Sequence, residues 1–305
     1  MATLLIGQGG AKICIFSPLI IMSQSAKILD GKKVSQALQK SLTQQIKKRV
    51  AAGYDAPGLA VVLVGNDEAS AVYVNNKIKA CERTGIISQS HRLPRQTSAV
   101  ALYSLIDELN HDPQVHGILV QLPLPEHIDE TEVTNRIHPN KDVDGFHAIN
   151  VGHLALRQPG LRPCTPRGVI TLLHHYGLDP KGQHCVIVGA SNIVGRPLML
   201  EMLFAGATVT SCHRFTRDLE HHVAQADIVC VAVGNPNVVD AAWIKPDAIV
   251  IDIGINRLED GSLSGDVDFH VASQKAAWIT PVPGGIGPMT VATLMQNTFE
   301  ASLLA

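Results

Sequence analysis

The residues with the most evident chemistry in this 305-residue chain fall in two places. In the first, Ser70, Tyr73 and Lys77 stand at i, i+3 and i+7, a spacing that sets all three on one face of a helix. A lysine can move a proton there only if burial or a partner brings its pKa toward working pH. Gln121 closes an apolar run. In an open parallel sheet the ligand crevice lies outside the carboxyl ends of the strands, where Gln121 and the residues after Val64 would both emerge. Tyr73-x-x-x-Lys77 also suits a short-chain dehydrogenase, but in that family the glycine loop precedes the pair, and here it follows far downstream at Gly189.

The second place is Val186-Ile187-Val188-Gly189-Ala190-Ser191-Asn192-Ile193-Val194-Gly195-Arg196-Pro197, an apolar run that breaks at a glycine and restarts with helical spacing. Gly189 lets the chain turn off a strand, and N–H groups at the next helix's N-terminus can face a pyrophosphate. The spacing departs from G-x-G-x-x-G: Ser191 and Val194 replace glycines, and the second glycine is Gly195. The flanks carry the assignment, with a strand over Gln183–Val188, a helix over Val194–Ala205 stopped by Gly206, and a strand over Ala207–Cys212. About 20 residues beyond the loop an NAD site places Asp or Glu for the ribose. This chain has Cys212-His213-Arg214 there, and a guanidinium suits a 2′-phosphate, so the cofactor reads as NADP.

The elements that must position these groups alternate. Val34, Leu38, Leu42, Ile46 and Val50 mark an amphipathic helix from Asp30 to near Gly53. A buried strand Leu59–Val64 follows, then the Ser70–Lys77 helix over Glu68–Thr84 stopped by Gly85, and a helix over Ser98–Leu109. A strand over Val115–Leu122 ends at Pro123-Leu124-Pro125, and a short helix spans Glu130–Ile137. The polar turn Pro139–Gly145 reads as a domain boundary. Beyond it, Thr165-Pro166 supplies an N-cap and N1 proline for a helix through Tyr176, and strands Ile228–Val233 and Ala248–Ile253 end at Gly234 and Gly254. Pro281–Pro288 is too rich in Pro and Gly to be regular, and a last helix, Met289–Leu304, can fold back on the first domain. The alternation predicts an α/β protein with parallel sheets, its second half Rossmann-like.

The net charge of −2 argues against a nucleic-acid surface. The six cysteines form no CxxC pair or zinc spacing and read as buried reduced thiols, and the paired histidines cannot share a helix face, so no metal is expected. Residues 1–22 read as a dispensable extension, too short in apolar length for a membrane span and without the basic start of a secretory signal; the rest reads as cytoplasmic.

Taken together, Ser70-x-x-Tyr73-x-x-x-Lys77, Val120-Gln121-Leu122-Pro123-Leu124-Pro125, Lys141-Asp142-Val143-Asp144-Gly145, Pro163-Cys164-Thr165-Pro166, the 189–197 loop and Pro281-Val282-Pro283-Gly284-Gly285-x-Gly287-Pro288-Met289-Thr290 resemble, in order, the bifunctional methylenetetrahydrofolate dehydrogenase/cyclohydrolase family. The resemblance implies NADP-dependent oxidation of 5,10-methylenetetrahydrofolate to the methenyl cation, then hydrolysis to 10-formyltetrahydrofolate, in one-carbon metabolism. It implies Lys77 as catalytic lysine, Tyr73 stacked on the folate rings, Gln121 hydrogen-bonded near Lys77, and Asp144 receiving the pterin's amino and ring N–H groups. Ser70, Leu122, Pro283, Gly284 and Gly285 complete the expected tetrahydrofolate contacts. Thr165, Gly189, Ala190, Ser191, Ile193, Val194, Arg196, His213, Arg214, Gly234 and Ile255 are those expected for NADP. Some relatives carry a basic residue where this chain has Ala190, which leaves Arg196 and Arg214 for the 2′-phosphate.

The expected division is a folate domain of residues 23–143 plus 288–305, an NADP domain of 144–287 and a cleft between them, in a homodimer joined through the cofactor domains. A shikimate-dehydrogenase-like enzyme is the alternative, separable by the Asp144 turn and the Pro-Gly loop. A non-catalytic NADP sensor is another, opposed by the presence of Lys77, Gln121 and Asp144.

Overall fold

The computed structural model describes residues 25–304, so the 1–22 extension and Cys14 lie outside the described residues. A first sheet of three parallel strands is built from β2 (Gly58–Val64), β3 (Ile87–Leu93) and β4 (Gly117–Val120) in the order β3-β2-β4, preceded among the described residues by β1 (Lys27–Ile28). Around this sheet run α1 (Gly31–Ala51), α2 (Glu68–Thr84), α3 (Ala99–His111) and α4 (Glu130–Arg136). Every residue of β2 is buried, as a central parallel strand covered on both faces must be.

The chain continues through α5 (Ala148–Ala155) and α6 (Cys164–His175) into β5 (His184–Val188), α7 (Gly195–Phe204), β6 (Thr208–Cys212), α8 (Leu219–Ala224), β7 (Ile228–Val231) and β8 (Ile249–Asp252). A hairpin of β9 (Asn256–Arg257) and β10 (Leu263–Ser264), then α9 (Phe269–Ala272), β11 (Trp278–Ile279) and α10 (Ile286–Ala301) complete it. The main sheet is six-stranded and parallel, in the order β1-β11-β8-β7-β5-β6. Among the described residues no helix is long and apolar enough to cross a membrane, and no group of three His, Cys, Asp or Glu side chains converges as metal ligands would.

Several elements differ from the sequence reading. Strand β3 was not expected: it is an edge strand whose exposed and half-buried residues are mostly polar, so it lacks the apolar run that marks β2. Lys27–Ile28, in the segment assigned to the folate side, pairs with Trp278–Ile279 of the other sheet, and the Leu29 N–H extends that ladder to the Ile279 carbonyl at 2.9 Å. Helix α6 starts at Cys164 with Pro163 at the cap position and no side-chain cap, so Thr165 and Pro166 lie within its first turn. The Thr165 hydroxyl instead meets that of Thr290 at 2.9 Å. Helix α10 begins at Ile286, taking Gly287 and Pro288 into a first turn whose N–H groups need no helical partner. It packs against α1, α2 and α6, touching both halves of the molecule.

Candidate active site

Helix α2 is held at both ends, by Asp67 accepting from the Ser70 N–H at 2.7 Å and by Gly85 in the left-handed region at φ 85°. It buries Val74, Ala80 and Cys81 completely against the first sheet, leaving Lys77 half-buried and Tyr73 42% exposed. Ser70 itself is buried, its N–H and hydroxyl holding Asp67 below the usual carboxylate range. Lys77 Nζ donates to Gln121 Oε1 at 3.0 Å. Because that oxygen faces an ammonium, the Gln121 amide nitrogen must face an acceptor, and it donates to the Leu122 carbonyl at 2.6 Å. The Gln121 backbone N–H continues the β4 ladder to Val62 at 2.8 Å, so the strand end fixes the amide that fixes the lysine.

The 141–145 turn divides its labour. Lys141 reaches the carbonyls of Leu109 and Asp112 at 3.1 and 2.8 Å, capping the end of α3 with a cation. Asp142 is buried and accepts from Gly145 N, His147 N and Asn150 Nδ2. Asp144 is left with no protein donor on its carboxylate among the described residues. Burial pushes its pKa up to about 6, with the Lys77 ammonium opposing that rise and Asp142 adding to it. A small recess, with room for no more than about one water molecule, lies here, lined by Val120, Leu122, Asp142, Asp144 and Phe146 among others. An unpaired carboxylate can accept from a ligand's N–H donors, and the Lys77 ammonium is near enough to act on it.

At the second place the strand ends converge. Gly189 has φ +120°, and a Cβ on it would sit 2.2 Å from the Ala232 carbonyl oxygen; on Gly195 one would sit 2.0 Å from the Gly189 oxygen. These two glycines let the loop lie flat between β5, β7 and α7. Ser191 Oγ accepts from the N–H groups of Val194 and Gly195, at 3.2 and 3.3 Å, so those two donors are already occupied. Arg196 folds back to the Ala190 carbonyl at 3.1 Å. Gly189 N–H donates to the Cys212 carbonyl at 2.9 Å, placing His213 and Arg214 beside the loop at the end of β6. Arg214 is exposed and lies over Phe215, 4.7 Å from its ring centroid. Two exposed guanidiniums, those of Arg196 and Arg214, thus stand near the glycine turn, where an anionic group could meet them.

Two buried carboxylates missed in the sequence reading order the remaining loops. Asp266 accepts from Val233, Gly234 and Asn235 N–H groups and from Asn256, which uses the Gly234 N–H internally. Asp252 accepts from Gly254, Asp266 and Val267 N–H groups, and burial pushes it up to about 6. Gly254 and Gly265 seat these carboxyl groups, since a Cβ on either would fall within 2.1 Å of one. A nearby glycine, Gly254 two positions after Asp252 and Gly265 next to Asp266, is the only signal in sequence. Ile255, exposed, is where a Cβ on Gly287 of α10 would make contact, at 3.7 Å from its Cδ1. In the Pro-Gly loop Gly285 is buried on Gly31 and Thr280, whereas Pro283 is exposed and Gly284, φ +112°, is partly so. The five described cysteines are free and buried.

Two family models match in register with this geometry: the tetrahydrofolate dehydrogenase/cyclohydrolase catalytic domain over residues 29–144, and the NAD(P)-binding domain of the same family over 163–304. Among solved structures, the bifunctional methylenetetrahydrofolate dehydrogenase/cyclohydrolase of Campylobacter jejuni is 48% identical, with a TM-score of 0.90 over 92% of this chain and 99% of its own. The Trypanosoma brucei dehydrogenase-cyclohydrolase, solved with NADP and an inhibitor, is 37% identical, with a TM-score of 0.89 over 92% and 98%. Shikimate dehydrogenase of Thermus thermophilus shares the fold alone, at 15% identity and a TM-score of 0.51 over 81% and 99%.

Proposed function

Because the chain belongs to the tetrahydrofolate dehydrogenase/cyclohydrolase family, we infer that the Lys77–Gln121–Asp144 constellation carries its two activities. It is a bifunctional enzyme that oxidises 5,10-methylenetetrahydrofolate to 5,10-methenyltetrahydrofolate with NADP and hydrolyses that product to 10-formyltetrahydrofolate. The shikimate-type alternative rests on fold alone and falls away.

NADP, when bound, supplies the hydride acceptor. The carbon that loses hydride is flanked by two nitrogens whose lone pairs stabilise the cation, so the protein's work in that step is orientation. Asp144 accepts the pterin N–H donors, Tyr73 offers its exposed ring face for stacking, and Ser70, Leu122, Pro283, Gly284 and Gly285 enclose the folate. In hydrolysis, water loses protons and a ring nitrogen gains one; Lys77, held by Gln121, moves that proton. On the cofactor side, the donors left open along 190–193 face the diphosphate, Arg196 and Arg214 hold the 2′-phosphate, and Thr165, His213, Gly234 and Ile255 border the ring and ribose. The folate domain takes residues 23–143 with 288–305, the NADP domain 144–287, and two copies pair through the latter in the cytoplasm, feeding purine, histidine and methionine synthesis.

The observation that carries this reading is the 3.0 Å Lys77–Gln121 bond beside an unpaired Asp144 carboxylate. The test follows NADPH formation and methenyl absorbance in wild type and Lys77→Met. Accumulation of the methenyl species only in the variant supports the assignment, and retention of full hydrolysis overturns the role of Lys77.

A further inference from the structure

Asn297 is fully buried in the middle of α10, and both its amide nitrogen and its amide oxygen are engaged in hydrogen bonds. Its Nδ2 donates to the carbonyls of Val143 and Arg162, both at 2.8 Å. Its Oδ1 accepts from Arg167 Nη1 at 2.7 Å, and Arg167 is held in turn by two 2.7 Å bonds to Glu300. A guanidinium has only donors, so the amide oxygen must face it and both amide hydrogens must face the carbonyls. Arg167 thereby sets the sense of the amide, and the amide sets two peptide planes.

Those planes belong to strands of chain that are remote in sequence and cross here. Val143 immediately precedes Asp144, and Arg162 leads into Cys164 and α6. The crossing is closed further by Cys164 N–H donating to the Asp144 carbonyl at 3.2 Å and Cys164 Sγ donating to Val143 O at 3.2 Å. There is no slack in it, because a Cβ on Gly145 would lie 2.5 Å from the Arg162 carbonyl carbon. Asp144 thus has the peptide on each side fixed while its own carboxylate stays unpaired.

We propose that Asn297 is a positioning residue for substrate, acting through Asp144: it holds the 143–144 peptide so that the carboxylate is aimed before folate arrives. This rests on the reading of Asp144 as the pterin acceptor. A generic structural anchor would lower stability and weaken both ligands together; a clamp on Asp144 weakens folate alone.

The experiment is a double-mutant cycle of Asn297→Ala with Asp144→Asn, read as tetrahydrofolate affinity by calorimetry, with NADP affinity measured alongside. The clamp predicts that Asn297→Ala weakens tetrahydrofolate binding about tenfold and raises KM for methylenetetrahydrofolate more than it lowers kcat, with NADP affinity within about twofold. In the Asp144→Asn background the same change should cost nothing further. Equal loss in both backgrounds, or parallel loss of NADP, overturns the proposal. Should Asn297→Ala fail to fold, Glu300→Gln loosens Arg167 with the amide in place, and the same cycle must give a smaller loss of the same sign. A wild type that binds no tetrahydrofolate sinks the functional reading with the clamp, whereas binding with an additive cycle sinks the clamp alone.

Discussion

Lys77 and Gln121 are joined by a 3.0 Å bond from ammonium to amide oxygen, across the gap between helix α2 and the end of strand β4. The acceptor is an uncharged amide oxygen, which a glutamate at the same position would replace with a carboxylate.

Gln121→Glu therefore tests the pair with almost no change in shape. The added negative charge favours the charged lysine, and hydrolysis should fall by about ten- to a thousandfold while oxidation falls less. Decay of methenyl absorbance against NADPH formation reads the two steps separately, and an equal fall in both would count against proton transfer by Lys77.

The proposed role of Asp144 as pterin acceptor implies a pH dependence of folate capture. Burial raises its pKa to about 6, so below that pH the carboxyl is protonated and accepts poorly from the pterin. The value of kcat/KM for methylenetetrahydrofolate should climb as pH rises through about 6, and Asp144→Asn should remove that limb. A limb that persists unchanged in the variant assigns it elsewhere.

Asp252 predicts a dependence of opposite sense in stability. Its folded pKa, raised to about 6 by burial, exceeds the roughly 3.9 of an unfolded aspartate, so the folded state binds the proton more tightly. Its contribution is full below the unfolded value and is lost as pH rises through about 6. Thermal melts should show wild type gaining stability relative to Asp252→Asn as pH falls from about 6 to about 4, and a constant difference would contradict it.

Arg214 is expected to select the phosphorylated cofactor. Arg214→Ala should raise KM for NADP by about ten- to a hundredfold, the loss of charge-assisted bonds, and leave KM for NAD within about twofold. Equal changes for both cofactors would place the 2′-phosphate on other residues.

Helical periodicity, glycine stops and the break at Gly189 are local properties, so the Ser70–Tyr73–Lys77 helix, strands β2 and β5 and the parallel alternation could be read from residue types alone. Strand β3 could not, because an exposed edge carries no apolar pattern, and neither could the pairing of Lys27–Ile28, two residues with no periodicity to detect. The start of α6 moved because Thr165 found a partner in Thr290, from a helix that follows long after it in the chain. Asn297, Asp252 and Asp266 are silent in the sequence for the same reason. Their side chains bond backbone groups brought near by chain crossings, and an amide or carboxyl buried against remote carbonyls or N–H groups leaves no spacing in the sequence. The sequence determined which groups can do the chemistry; only the tertiary path decided that Gln121 meets Lys77, that Asp142 is consumed by its own turn, and that Asp144 is left unpaired, because partner assignment depends on where the backbone returns.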